Sequence, residues 1–231
     1  MDVVAAMPKA LRRWIAMRLK ARGLVPAFKR ELVDTIWIDV GAHLGEFTLD
    51  AAINNPRLLV FAFEPNWELS RQIMGRAANF VVLPMAVSET DGIAKFFINS
   101  NDGSSSLLPI DGSSAAQWGE SVNFSVIGEV SIPTIRLDTF MHLAKIERVD
   151  YLKVDAEGAD LLVIKSAADR IRDIRTIKAE VEVCDFRSFV GAPSKVEMIS
   201  FMKEKGFSLT AVESQNEDRQ ENLTFTQTNI L

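Results

Sequence analysis

The stretch WIDVGAHLGEFTLD, Trp37–Asp50, decides the reading of this chain. It reads as a buried strand that runs into a glycine turn and then a helix. Turns of this kind usually cradle phosphate. Yet Asp39 stands just before the first glycine, where a phosphate would meet a negative charge. Gly41 and Gly45 bracket the turn as G-A-H-L-G. The dinucleotide fingerprint G-x-G-x-x-G is absent, and so is the lysine-bearing phosphate loop. Glycines here let the backbone approach a ligand closely. The helix N-terminus that follows offers unpaired N–H groups, a seat for a carboxylate.

Glu64 follows Gly45 by 19 residues, at the end of a second strand. An acid at that place accepts hydrogen bonds from both hydroxyls of a ribose. The implied ligand carries a ribose, and a positive group near Asp39 rather than a pyrophosphate. S-adenosylmethionine has a carboxylate, an ammonium, a sulfonium and a ribose, and meets these demands better than NAD does. The plain alternative is a βαβ unit without cofactor, in which Asp39 caps a helix or turn.

Strand and helix alternate outward from this turn. TIWIDV (35–40) is a first strand and EFTLDAAINN (46–55) its helix. RLLVFAFEP (57–65) holds the second strand, NWELSRQIMGRAA (66–78) the second helix and FVVLPMAV (80–87) the third strand. Near-continuous apolar runs flanked by amphipathic helices predict a parallel sheet covered on both faces. Residues 88–135 change character. GIAKFFINS (92–100) and GEVSIPTIRL (128–137) read as strands around a Gly/Ser-rich stretch, an insertion forming a loop or a lid over the acceptor. Alternation then resumes. LDTFMHLAKI is a short helix and VDYLKVD a fourth strand, followed by helix in ADLLVIKSAADRI. IRTIKAEVEV is a fifth strand and SKVEMISFMKEKG a helix stopped at Gly206. FSLTAV and NLTFTQTNI read as a closing antiparallel pair around the charged turn ESQNEDRQE.

The chain of 231 residues, 48% hydrophobic and 25% charged, suffices for one good-sized core. A lone cysteine, Cys184, precludes an internal disulfide framework and fits a reducing compartment. With only two histidines beside it, a His/Cys zinc site is disfavoured. There is no run of about 18 apolar residues and no secretory leader, so the expectation is a cytoplasmic protein. Residues 1–30 hold eight Lys/Arg and one acid, a net +7, whereas the remainder carries −12. The acidic body disfavours nucleic acid as a substrate. Residues 7–21 read as a basic amphipathic helix, packed on the domain or contacting an anionic membrane or a protein partner. The expected organisation is an N-terminal extension, 1–33, before one domain, 34–231.

WIDVGAHLGEFT, FAFEPN, MAVSETDGIAKFF, SSSL, IPTIRLDTF and DYLKVDAEGADLLVIKSA occur in this order. The ordered set resembles the FkbM-type S-adenosylmethionine-dependent methyltransferases over roughly residues 34–183. The resemblance implies a Rossmann-like α/β fold of class I methyltransferase type. Its sheet is mainly parallel and seven-stranded, with an antiparallel last strand and helices on both faces. It implies O-methylation of a hydroxyl on a sugar, glycolipid or other small molecule. By the same resemblance Asp39, Gly41, Ala42, His43 and Gly45 surround the methionyl part of the cofactor. Glu64 holds the ribose with Asn66 close by, and Met85, Ala86 and Ser88 lie near the adenine. Asp155 and Glu157 face the sulfonium and the acceptor. The turn often reads G-A-N in such proteins and reads G-A-H here.

Methyl transfer from a sulfonium is an in-line displacement with a neutral leaving group, so positioning supplies much of the acceleration. A hydroxyl acceptor gains from a general base. Tyr151 begins a strand, His142 reads as a surface or packing residue on a helix, and His43 as structural. The acids at strand ends remain: Asp155 and Glu157 after the fourth strand, and Glu180, Glu182 and Asp185 at the fifth. Such a cluster can raise one carboxylate's pKa or hold Mg²⁺ through oxygens. Glu180 and Glu182 read equally as solvated strand-end charges. The rival readings are an NAD-linked oxidoreductase, a binding module that has lost turnover, and a structural adaptor built on the basic helix.

Overall fold

The structure is a computed structural model that describes residues 33–112, 125–183, 187–216 and 219–228. The helix expected at 7–21, part of the Gly/Ser stretch, Cys184 and Asp185 lie outside the described residues.

Strands β1 (Thr35–Val40), β2 (Leu58–Phe63) and β3 (Phe80–Leu83) pair in parallel and step outward in that order. The next strands of this sheet fall on the opposite side of β1. These are β7 (Tyr151–Val154), β8 (Thr176–Glu182), β9 (Phe207–Gln215) and β10 (Gln220–Gln227). The full order is β3-β2-β1-β7-β8-β10-β9, with β10 antiparallel to both of its neighbours. This is a Rossmann-like, mainly parallel seven-stranded sheet whose last strand runs against the rest. The strand order reverses between β1 and β7, and ligands bind in the crevice at such a switch point.

Helices α1 (Thr48–Asn54) and α2 (Trp67–Ile73) cover β1–β3 on one face, where Leu49, Ala52 and Ile73 pack with Leu58, Val60 and Val82. Helices α3 (Leu137–Leu143), α4 (Asp160–Lys165) and α5 (Lys195–Glu204) cover the other. Their Phe140, Val163 and Met198 close over Ile38, Leu152, Ile177 and Phe225. These strands carry apolar residues because they lie in the middle of this three-layer stack. Two helix starts are fixed by capping. Asn66 accepts from the Glu68 amide, and Ser194 and Glu197 form a reciprocal capping box, a device that contributes about 1 kcal/mol.

Two expectations need correction. FVVLPMAV is not one strand. β3 stops at Leu83, before Pro84, and the chain resumes as β4 (Ala86–Val87) in a second sheet. Proline has no N–H for the ladder, so pairing with β2 cannot continue through it. The closing pair also runs longer than the sequence suggests. β9 reaches Gln215 and β10 begins at Gln220, so much of the charged segment is strand rather than turn.

The second sheet, β4-β6-β5, joins β4 to the strands β5 (Gly92–Asn99) and β6 (Val126–Ile135), which pair with each other as antiparallel neighbours. Arg136 fastens it to the main body. Its guanidinium bonds Asp138 and the carbonyls of Glu89 and Ser166. No helix among the described residues is long and apolar enough to cross a membrane.

Candidate functional site

A cavity of about 630 Å³ opens at the carboxyl ends of β1, β2, β7 and β8. Its floor is the glycine turn. Gly41 and Ala42 both donate to the Phe63 carbonyl, at 3.0 Å, which docks the turn on the end of β2. Gly41 has φ +74°, and a Cβ there would lie 1.8 Å from the Asp155 carbonyl oxygen. Only glycine lets β1 and β7 approach so closely at this point. Helix α1 begins at Thr48, two residues later than the sequence indicates.

Asp39 is 1% exposed, and burial raises its pKa. The opposing pull comes from Lys153, whose Nζ lies 3.3 Å from Asp39 Oδ1, and from the Thr48 hydroxyl, which donates to Oδ2. Lys153 also reaches the Gly41 carbonyl and Asp155 Oδ2, each at 3.3 Å. Burial alone would lower the lysine's pKa. The carboxylates of Asp39 and Asp155 outweigh that and hold it above the ordinary value. The positive group expected beside Asp39 is therefore already supplied by the protein. The sequence reading missed Lys153, because its pairing depends on a register in which Asp39 faces Lys153 across β1 and β7.

Glu64, just beyond β2, is buried and accepts the amides of His43 (2.8 Å) and Asn66 (2.7 Å), one on each oxygen. Burial pushes its pKa up to about 7 against the pull of those two amides. Each oxygen keeps a lone pair, so the carboxylate can still take two hydroxyl donors. His43 has φ +47°. Its Nδ1 lies 2.6 Å from Glu46, and its Nε2 lies 3.3 Å from Asp102. Burial disfavours the charged ring, but the two acids prevail and raise its pKa. Asp102 opens a 3-10 turn, Asp102–Ser104, and residues 102–107 form one wall of the cavity.

The opposite side is acidic. Asp155 and Glu157 follow β7, and Glu180 comes from β8. One carboxylate oxygen from each lies within 4.8 Å of the others. That is an oxygen set of the kind a hard divalent cation takes. Burial, then the neighbouring carboxylates, push Glu157 and Glu180 well above the usual range. Gln220 of β10 donates to Glu180 Oε1 at 2.7 Å. Buried Asp160, pushed up to about 7 by burial, accepts the Glu180 amide at 3.3 Å.

The structure brings Asp39, Gly41, Ala42, His43, Glu64, Ala86, Asp155 and Glu157 to one cavity, together with Glu180. Gly45, Asn66, Met85 and Ser88 stand behind its lining. Gly45 (φ +74°) packs on Leu49, Asn66 caps α2, Met85 is buried in the core, and the Ser88 amide bonds the Ile135 carbonyl. Glu182 turns away and accepts the Ser188 amide. Tyr151 packs tilted against Trp37 and edge-on to Phe47 instead of lining the cavity, and burial pushes its pKa up to about 12. His142 is exposed on α3.

The family model for the methyltransferase FkbM domain matches residues 39–209. The chain is 27% identical over 161 residues to the 2-O-methyltransferase NoeI of Sinorhizobium fredii, covering 65% of this chain and 64% of that protein. It is 27% identical over 150 residues to the hexuronic acid methyltransferase AglP of Haloferax volcanii, covering 64% and 56%. The chain thus spans less than two thirds of the length of these two relatives. Among solved structures, Aeropyrum pernix fibrillarin in complex with S-adenosyl-L-methionine aligns with a TM-score of 0.45 at 14% identity, over 84% of this chain and 66% of that one. With the family model covering most of the chain, and the sheet order and glycine turn in place, the protein belongs to the FkbM methyltransferase domain family.

Proposed function

We propose that the protein is an S-adenosylmethionine-dependent methyltransferase acting on a hydroxyl of a sugar, glycolipid or other small molecule. One observation carries this reading: the glycine turn, Glu64, the acids after β7 and Glu180 on β8 all open into a single cavity at the switch point. The cofactor lies along the turn. The backbone of Gly41–His43 lines the methionyl part, with Asp39 and Lys153 beneath as a neutralised base and Gly45 and Asn66 shaping the turn and ribose edge. Glu64 accepts the ribose hydroxyls. Ala86 borders the adenine, with Met85 and Ser88 setting its position from behind. Asp155 and Glu157 would face the sulfonium and the acceptor.

The acidic side fits an acceptor that presents hydroxyl donors. Glu157, with its pKa raised by burial and by the acids around it, suits the role of general base for a hydroxyl. Asp155, held by Lys153 Nζ at 3.3 Å, would bind and orient the sulfonium from the acidic side. The names of the two relatives, a 2-O-methyltransferase and a hexuronic acid methyltransferase, support a sugar acceptor. Nucleic acid does not suit the acidic body. The domain spans 34–231, the basic extension 1–33 meets a membrane surface or a protein, and the setting is cytoplasmic. Mg²⁺ is not required by this reading.

Calorimetric titration with S-adenosylmethionine, S-adenosylhomocysteine and NAD tests the cofactor. Binding of both adenosyl ligands and not NAD is expected, and NAD binding alone would overturn the proposal. Transfer of labelled methyl to methyl glucosides and methyl β-D-glucuronide then tests the acceptor class. Cofactor binding with no transfer to any hydroxyl acceptor would leave a binding module.

A further inference from the structure

Glu157 adopts φ +50° and Gly158 after it φ +83°, two successive left-handed residues that turn the chain sharply beyond β7. Glycine is required at 158, where a Cβ would lie 2.9 Å from the Phe189 side chain. Glutamate has no such freedom, and a left-handed non-glycine residue persists only where its surroundings hold it. The hold comes from a distant part of the chain. Ser106 Oγ donates to the Glu157 carbonyl at 2.7 Å and accepts the Leu108 amide at 3.0 Å.

Ser106 is itself rigidly placed. It is 2% exposed, and its amide and carbonyl pair with Phe97 of β5 at 3.2 and 2.9 Å. The same segment is fastened at its other end, where Asp102 meets His43 of the glycine turn. Both Ser106 and Glu157 line the cavity.

We propose that Ser106 is a positioning residue for Glu157, its hydroxyl fixing the left-handed peptide so that the carboxylate faces Asp155 and Glu180. This rests on the reading of Glu157 as the acceptor-side acid. Without the hydroxyl, the Glu157 carbonyl loses its partner and the strained peptide can rotate toward an ordinary conformation. Rotation of that peptide swings the side chain out of the acidic group. Threonine at 106 keeps the hydroxyl and tolerates the extended backbone.

The test compares crystal structures of the wild-type protein, S106A and S106T, with S-adenosylhomocysteine affinity as the control. The expected result is a Glu157 carboxylate displaced from Asp155 and Glu180 in S106A, restored in S106T, with cofactor affinity within about twofold throughout. A Glu157 conformation unchanged in S106A overturns the proposal, whatever the activity. Methyl transfer to methyl β-D-glucuronide gives a second readout. S106A is expected to lower kcat roughly tenfold, about the effect of one hydrogen bond, with little change in acceptor KM. In an E157Q background the same change should cost less than about twofold, because the two residues act as one unit. An equal loss in both backgrounds also overturns it. Failure of S-adenosylhomocysteine to bind the wild type would instead strike the cofactor reading and leave the crystallographic comparison standing.

Discussion

Lys153 Nζ on β7 lies 3.3 Å from Asp39 Oδ1 on β1 and 3.3 Å from Asp155 Oδ2, so one ammonium joins a buried acid beneath the glycine turn to an acid that faces the cavity. The lysine side chain is 22% exposed and the aspartate side chain 2%. Removing the ammonium strands the aspartate charge, and breaking a buried pair from one side typically costs about 3–5 kcal/mol. Lys153→Met is expected to lose about 3 kcal/mol, near the lower end because the lysine keeps some solvent contact. Urea denaturation measures it. A loss under about 1 kcal/mol would mean that the Thr48 hydroxyl, with protonation of the buried acid, suffices for Asp39.

Gly41 presses on the Asp155 carbonyl oxygen, with no room for a methyl group. Gly41→Ala therefore combines a left-handed backbone penalty with a backbone clash that no rotamer relieves. The expected loss is roughly 2–4 kcal/mol in stability. Cofactor binding should be lost with it, because β1 and β7 must part. Thermal unfolding and calorimetry on the same sample check both halves.

Glu64→Ala is expected to weaken S-adenosylhomocysteine binding by ~1–3 kcal/mol, the loss of hydrogen bonds to a charged group. Because Glu64 also holds the amides of His43 and Asn66, the alanine variant tests the turn and the ribose contact together. Unchanged affinity in a folded variant would sink the ribose assignment.

The pKa of Glu64, raised by burial to about 7 from 4.5, sets a pH dependence with opposite signs for folding and binding. An acid that holds its proton more tightly when folded contributes its full stability below about pH 4.5. That contribution is lost as pH rises to about 7. Ribose hydroxyls donate to the ionised form, so cofactor binding favours the carboxylate. Affinity for S-adenosylhomocysteine should rise from about pH 6 to about pH 8, and Glu64→Gln should flatten that rise. His43 remains in the variant, so the difference between the two profiles isolates Glu64.

His43 ties the glycine turn to the wall of the cavity through Asp102. Both ends are partly exposed, so the tie contributes only about 0.2–1 kcal/mol. His43→Asn keeps a residue that accepts the left-handed backbone while removing the reach to Asp102. Amide hydrogen exchange at 104–106 should then quicken by roughly threefold, in line with that energy. No change would show that the wall is held without His43, by its bonds to Phe97, Asn99 and Glu157.

Much of the fold could be read from local pattern. Apolar runs such as TIWIDV, LLVFAF and DYLKV stand as strands because each is sandwiched between helices, and burial on two faces leaves a signature in the run itself. The misreading at Pro84 arose because apolar character continues through Met85–Val87 while the hydrogen-bond ladder does not. Nothing local marks β10 as the strand that slips between β8 and β9.

The site divides in the same way. The sequence by itself determined the glycine turn with Asp39 at its entrance, Glu64 at the next strand end, and the acids of DAEGAD. The first two are set by short spacings within one βαβ unit, and the acids of DAEGAD by their place directly after the strand Tyr151–Val154. Only the folded sheet shows that Asp39 is neutralised by Lys153, that of the strand-end acids Glu180 joins Asp155 and Glu157 while Glu182 binds the Ser188 amide, and that Ser106 holds the Glu157 backbone from 51 residues away. Those partners meet through strand register and loop docking. Such contacts arise from the packing of the whole sheet and leave no periodicity or spacing in the chain.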